Sequence, residues 1–95
     1  MSTEIEITSQ IFNTIRSLLE DKTLEVTHET PLIGDKSHLD SMNLVELCLA
    51  LEDMASDLGF DFDWTSAAAM SKSRSMFRTA GTLAAEFIAQ KAAQK

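Results

Sequence analysis

Leu39-Asp40-Ser41-Met42-Asn43-Leu44-Val45-Glu46-Leu47-Cys48-Leu49-Ala50-Leu51-Glu52-Asp53-Met54-Ala55-Ser56-Asp57-Leu58 is the stretch that decides the fold. At about 100° per residue, Leu44, Leu47, Cys48, Leu51, Met54, Ala55 and Leu58 fall on one face. That periodicity predicts a helix over residues 41–58 with this face in the core. Asp40 and Ser41 stand at its start, and either suits an N-cap. A serine at this place also has its hydroxyl beside the positive end of the helix, where a phosphate would meet free backbone N–H groups.

The same helix carries a second apolar stripe. Met42, Val45 and Leu49 point almost opposite the core face, with Glu46, Glu52, Asp53 and Asp57 beside them. Either another element covers this stripe or it is a docking surface. The chain has few apolar residues left to cover it, and the flanking acids resist burial. A partner with a hydrophobic groove rimmed by Lys or Arg fits such a surface.

Three further helices follow from the pattern. Ile7, Ile11, Phe12, Ile15, Leu18 and Leu19 recur at helical spacing over residues 4–20, with Thr3 and Glu6 spaced as a capping box. Residues 64–71 predict a short third helix offering Trp64, Ala67, Ala68 and Met70 to the core, followed by a polar loop, Ser71-Lys72-Ser73-Arg74-Ser75. Residues 80–92 predict a last helix capped by Thr79 that buries Leu83, Phe87 and Ile88, with a frayed tail from Lys91. Residues 21–38, with Pro31 and Gly34, form a first loop unusually long for a small bundle. The expected architecture is one all-α domain over 1–95, a four-helix bundle with a long first loop and a short third helix.

Composition narrows the function. A 95-residue chain with 3 Gly, 1 Pro and 44% hydrophobic residues suits a helical bundle. Its single Cys48 excludes an internal disulfide framework and fits a reducing, cytoplasmic setting. No secretory signal and no apolar run of about 18 residues is present, so no membrane span is expected. The formal charge is −7, and residues 35–63 alone hold eight acids against Lys36. This acidity repels nucleic acid and steers a basic protein partner towards the helix.

Catalytic and metal constellations do not assemble. Asp61, Asp63 and Thr65 open like a calcium loop, but Ser66 and Lys72 stand where Gly and Glu are needed. His28 and His38 have no metal-ligand spacing with Cys48. His38 lies three residues before Ser41, yet neither an oxyanion hole nor a pocket accompanies the pair. No metal and no enzymatic activity are expected.

Three pieces in order, Thr30-Pro31-Leu32-Ile33-Gly34, Asp40-Ser41-Met42 with its helix, and Phe77-Arg78-Thr79-Ala80-Gly81-Thr82-Leu83-Ala84-Ala85-Glu86-Phe87-Ile88, resemble the acyl carrier protein family. The resemblance covers most of residues 30–88. It implies a carrier-type bundle and a 4′-phosphopantetheine arm on Ser41, moved there from coenzyme A by a phosphopantetheinyl transferase. The arm's thiol would hold an acyl or aminoacyl group as a thioester. By matching position, Asp40 serves transferase recognition and helps it bind its metal, and Met42, Val45, Glu46, Leu49, Glu52 and Asp53 are docking positions. The implied partners are that transferase, an acyl- or aminoacyl-loading ligase or synthase, and acyltransferases, met by a monomeric carrier. Met42 in place of the commoner Leu, the longer approach Asp35-Lys36-Ser37-His38 and the enlarged third-helix region point to a specialised pathway. The competing reading is an unmodified interaction module in which Ser41 is only a cap.

Overall fold

Short polar side chains set where the last three helices begin, and apolar spacing sets which way each helix faces. The structure is a computed structural model that describes residues 3–19, 23, 25–34 and 39–93. Among these it has four helices and no strand: α1 Thr3–Leu18, α2 Ser41–Leu58, α3 Ala67–Met76 and α4 Ala80–Ala93. α1 packs against both α2 and α4, and α3 packs against α4.

The core follows the helical spacing. Ile7, Ile11 and Ile15 of α1 are buried, as are Leu47, Cys48, Leu51 and Ala55 of α2 and Leu83, Ala84 and Phe87 of α4. Each fully buried large aliphatic or aromatic side chain contributes about 1.5–3 kcal/mol relative to leaving it in water. Phe12, Leu18, Leu44, Met54 and Ile88 pack half-buried around that centre. Between α2 and α3 the chain also enters the core. Phe60 meets Phe87 edge-on at 5.1 Å, and Phe62 lies 5.3 Å from the same ring.

α2 has the predicted bounds. Asp40 is its N-cap, accepting a hydrogen bond from the Asn43 N–H at 2.8 Å. Gly59 ends it at φ 89°, a left-handed conformation that glycine adopts without a Cβ clash. The Phe60 N–H donates to the Ala55 carbonyl and the Gly59 N–H to the Ser56 carbonyl, a Schellman ending. Leu58, expected in the core, is exposed at this turn.

Two other expectations need correction. α1 ends at Leu18, not residue 20: the Leu19 N–H turns back to the Arg16 carbonyl, and the Asn43 side-chain amide of α2 donates to the Leu18 carbonyl. α3 begins at Ala67, three residues later than expected, and runs through Ser71–Ser75, the stretch expected to be a loop. The cause is the cap. Ser66 Oγ accepts from the Ala69 N–H at 3.1 Å, and Asp63 accepts from both the N–H and the hydroxyl of Ser66. The shifted frame buries Ala69 and Met76, leaves Ala67 and Met70 exposed, and places Trp64 before the helix. The side chains of Thr3 and Ala68, the approach 35–38 and residues 94–95 of the tail lie outside the described set, while Lys91 is still helical.

The long loop closes on the start of α4. Thr79 and Thr82 cap reciprocally, Thr82 N–H to Thr79 Oγ1 at 3.2 Å and Thr79 N–H to Thr82 Oγ1 at 2.9 Å. The next two N–H groups go to the loop: Ala80 to the Thr30 carbonyl at 2.8 Å and Gly81 to the His28 carbonyl at 3.0 Å. Buried Leu32 anchors this contact. A Cβ on Gly81 would stand 2.8 Å from the His28 oxygen. A helical Gly→Ala exchange normally stabilises by about 0.5–1 kcal/mol. Here the clash is with backbone, so Gly81→Ala is expected to destabilise by about 1–2 kcal/mol in denaturant unfolding.

Candidate functional site

The start of α2 and its outer face form one continuous surface. Ser41 is the first residue of the helix; its side chain lies outside the described set. The cap is Asp40, so serine is not needed for that task. Asp40 is itself exposed, with one carboxylate oxygen turned into the helix end. The first turn of α2 carries no acidic residue, so the Asp40 carboxylate at the cap is the negative group shown at the positive end of its dipole.

Along the outer face Met42 is 70% exposed, Val45 45% and Leu49 50%. Glu46, Glu52 and Asp53 are exposed among them. At about 100° per residue, Met42, Val45, Glu46, Leu49 and Asp53 share one arc, with Glu52 at its margin on the Val45 side. The predicted docking residues are thus brought together as one apolar stripe edged by acids.

Two contacts near this face were not legible in the sequence. The Trp64 indole N–H donates to Glu52 Oε2 at 2.5 Å, which ties the chain ahead of α3 to α2. The Gln90 side-chain amide of α4 pairs with the Asp63 backbone both ways, at 2.6 and 2.9 Å. Both join residues more than ten positions apart, and no periodic pattern links Trp64 to Glu52 or Gln90 to Asp63. The only local signal is that an indole N–H needs an acceptor when its ring is partly buried.

Elsewhere, a groove of about 520 Å³ lies between α1, the first loop and α4, lined by Ile5, Phe12, Val26 and Ile88 and bordered by Glu4 and His28. It includes no residue of α2. His28 is exposed and meets Phe12 edge-on at 5.1 Å. His38 lies outside the described residues. Among the described residues no group of three His, Cys, Asp or Glu is arranged to hold a metal ion, and no helix is long and apolar enough to cross a membrane.

Cys48 is buried in α2, and burial, helped by the nearby charge of Glu52, pushes its thiol from the usual 9.0 up to about 12. The neutral thiol is therefore the form the fold favours. Because the folded value lies above the unfolded one, its contribution to stability is intact below pH 9.0 and is lost as pH climbs towards 12. Above pH 9.0 the unfolding midpoint of the parent should fall more steeply than that of Cys48→Ala. Iodoacetamide should label Cys48 slowly in the native protein and rapidly in denaturant. Equal slopes, or fast native labelling, would contradict the buried neutral thiol.

No family model, no curated protein and no solved structure matches this chain.

Proposed function

We propose that this protein is a carrier that holds an acyl or aminoacyl group as a thioester on a 4′-phosphopantetheine arm attached to Ser41. The observation that carries the reading is the coincidence of two features on one helix. Ser41 opens α2 immediately after a capping aspartate, and the stripe that starts at Met42 is left in solvent. An anionic phosphodiester at the first position of α2 fits the positive helix end, worth about 0.3–1 kcal/mol at an exposed site. Asp40 directs one oxygen to the Asn43 N–H and remains exposed, as transferase recognition requires.

Loading is a phosphoryl-type transfer catalysed by the transferase. The Ser41 oxygen forms a bond to the phosphorus next to the pantetheine half of coenzyme A. The bond from that phosphorus to the pyrophosphate bridge oxygen breaks, and the 3′,5′-adenosine diphosphate leaves with the electron pair. The serine proton passes to a base on the transferase. The carrier does no chemistry of its own. It presents cargo to a loading ligase or synthase and to acyltransferases, each docking an apolar groove rimmed by cations on α2. The reading places it in the cytoplasm as a monomer in a specialised biosynthetic pathway. The exposed acid-edged stripe also suits an unmodified interaction module, and modification separates the two.

Incubation with coenzyme A and a broad-range phosphopantetheinyl transferase should add one phosphopantetheine to the intact mass, and Ser41→Ala should abolish the addition. Since Cys48 is the single cysteine and is buried, native unmodified protein should show no fast thiol and the modified protein one. Absence of any addition, or full modification of Ser41→Ala, would overturn the assignment.

Docking is tested separately. Glu46→Lys or Asp53→Lys should lower kcat/KM for transfer by about three- to tenfold at low salt, with unchanged helical circular dichroism. The deficit should shrink towards 0.1 M salt and above, where exposed charges are screened within about 10 Å. Parent-like transfer at low salt would contradict electrostatic docking.

A further inference from the structure

Glu52 is exposed, yet its carboxylate is held by the Trp64 indole N–H. The donor is anchored. Trp64 packs half-buried against the core, and the residue before it is fixed by both backbone bonds to Gln90. On its other side the Asp63–Ser66 cap sets the start of α3. A carboxylate has about four acceptor sites, so one indole bond leaves it able to accept from a partner. We propose that Trp64 is a positioning residue of the docking surface: it holds the Glu52 carboxylate at the margin of the Met42–Leu49 stripe, ready for a guanidinium or ammonium group of the docking enzyme. This rests on the carrier reading of α2. A free glutamate loses its rotamer freedom when a cation docks on it, whereas a pre-held one has already lost it.

The test compares the parent, Trp64→Phe, Glu52→Asp and the double variant in transfer from coenzyme A by the broad-range transferase, with circular dichroism to monitor folding. Trp64→Phe keeps an aromatic ring and removes the N–H. Glu52→Asp keeps the charge and draws it back by one methylene. Each single variant should raise KM by about three- to tenfold with kcat within about twofold of the parent. The double variant should be no worse than either single, since both break one contact. An unchanged KM in Trp64→Phe, or losses that multiply in the double variant, would overturn the proposal. Should Trp64→Phe fail to fold, Glu52→Asp decides by the same criterion. A parent chain that accepts no arm would overturn this proposal together with the carrier reading, whereas normal transfer in parent and variants alike would overturn this one alone.

Discussion

α2 can bury only one of its two apolar faces, and the rest of the structure depends on which one. Leu47, Cys48, Leu51 and Ala55 go inward, where they join Ile11 and Ile15 of α1 and Leu83 and Phe87 of α4 in the buried set. At about 1.5–3 kcal/mol per large buried side chain, this face outweighs the smaller and interrupted Met42–Val45–Leu49 stripe. The acids beside that stripe settle the choice, because an unpaired carboxylate in the core costs far more than an exposed methionine. The outer stripe in solvent is thus a consequence of how the core is filled.

The face so exposed is mounted on a pinned frame. Asp40 and Gly59 fix both ends of α2. Asn43 reaches across to the last turn of α1, Gln90 of α4 holds the chain at Asp63, and the first loop closes on the N-terminus of α4 through Thr30 and His28. Apart from the Gln90–Asp63 pair, these polar contacts occur at helix ends, where backbone groups lack partners within their own helix. They therefore do two things together: they satisfy the orphan groups and fix the angle at which one element meets the next. On the carrier reading proposed above, such fixed geometry would leave less order to impose when a partner docks.

The legibility of the sequence tracks the range of the interactions. α2 was readable to the residue because its signals are local: two residues suited to a cap at its start, Asp40 and Ser41, and a long helical period that runs to Leu58. The Thr79 cap and the buried Leu83 and Phe87 of α4 were readable for the same reason. α3 was misplaced because Trp64 and the alanines looked like its apolar face, while the Asp63–Ser66 cap moves the start to Ala67 and gives Met76 the buried role. The Trp64–Glu52 and Gln90–Asp63 contacts span 12 and 27 positions and leave no periodic trace. Of the candidate site, the α2 stripe and the place of Ser41 were legible; that Asp40 performs the capping, and that Glu52 already has a partner, required the structure.

The central claim is that Ser41 bears the arm, and its most direct measurement is made on the protein isolated from its own cells. Proteolysis followed by fragmentation mass spectrometry reads the peptide that contains Asp40-Ser41-Met42. The account predicts phosphopantetheine, free or acylated, on that peptide and localised to Ser41. Recovery of the peptide solely with an unmodified serine would contradict it.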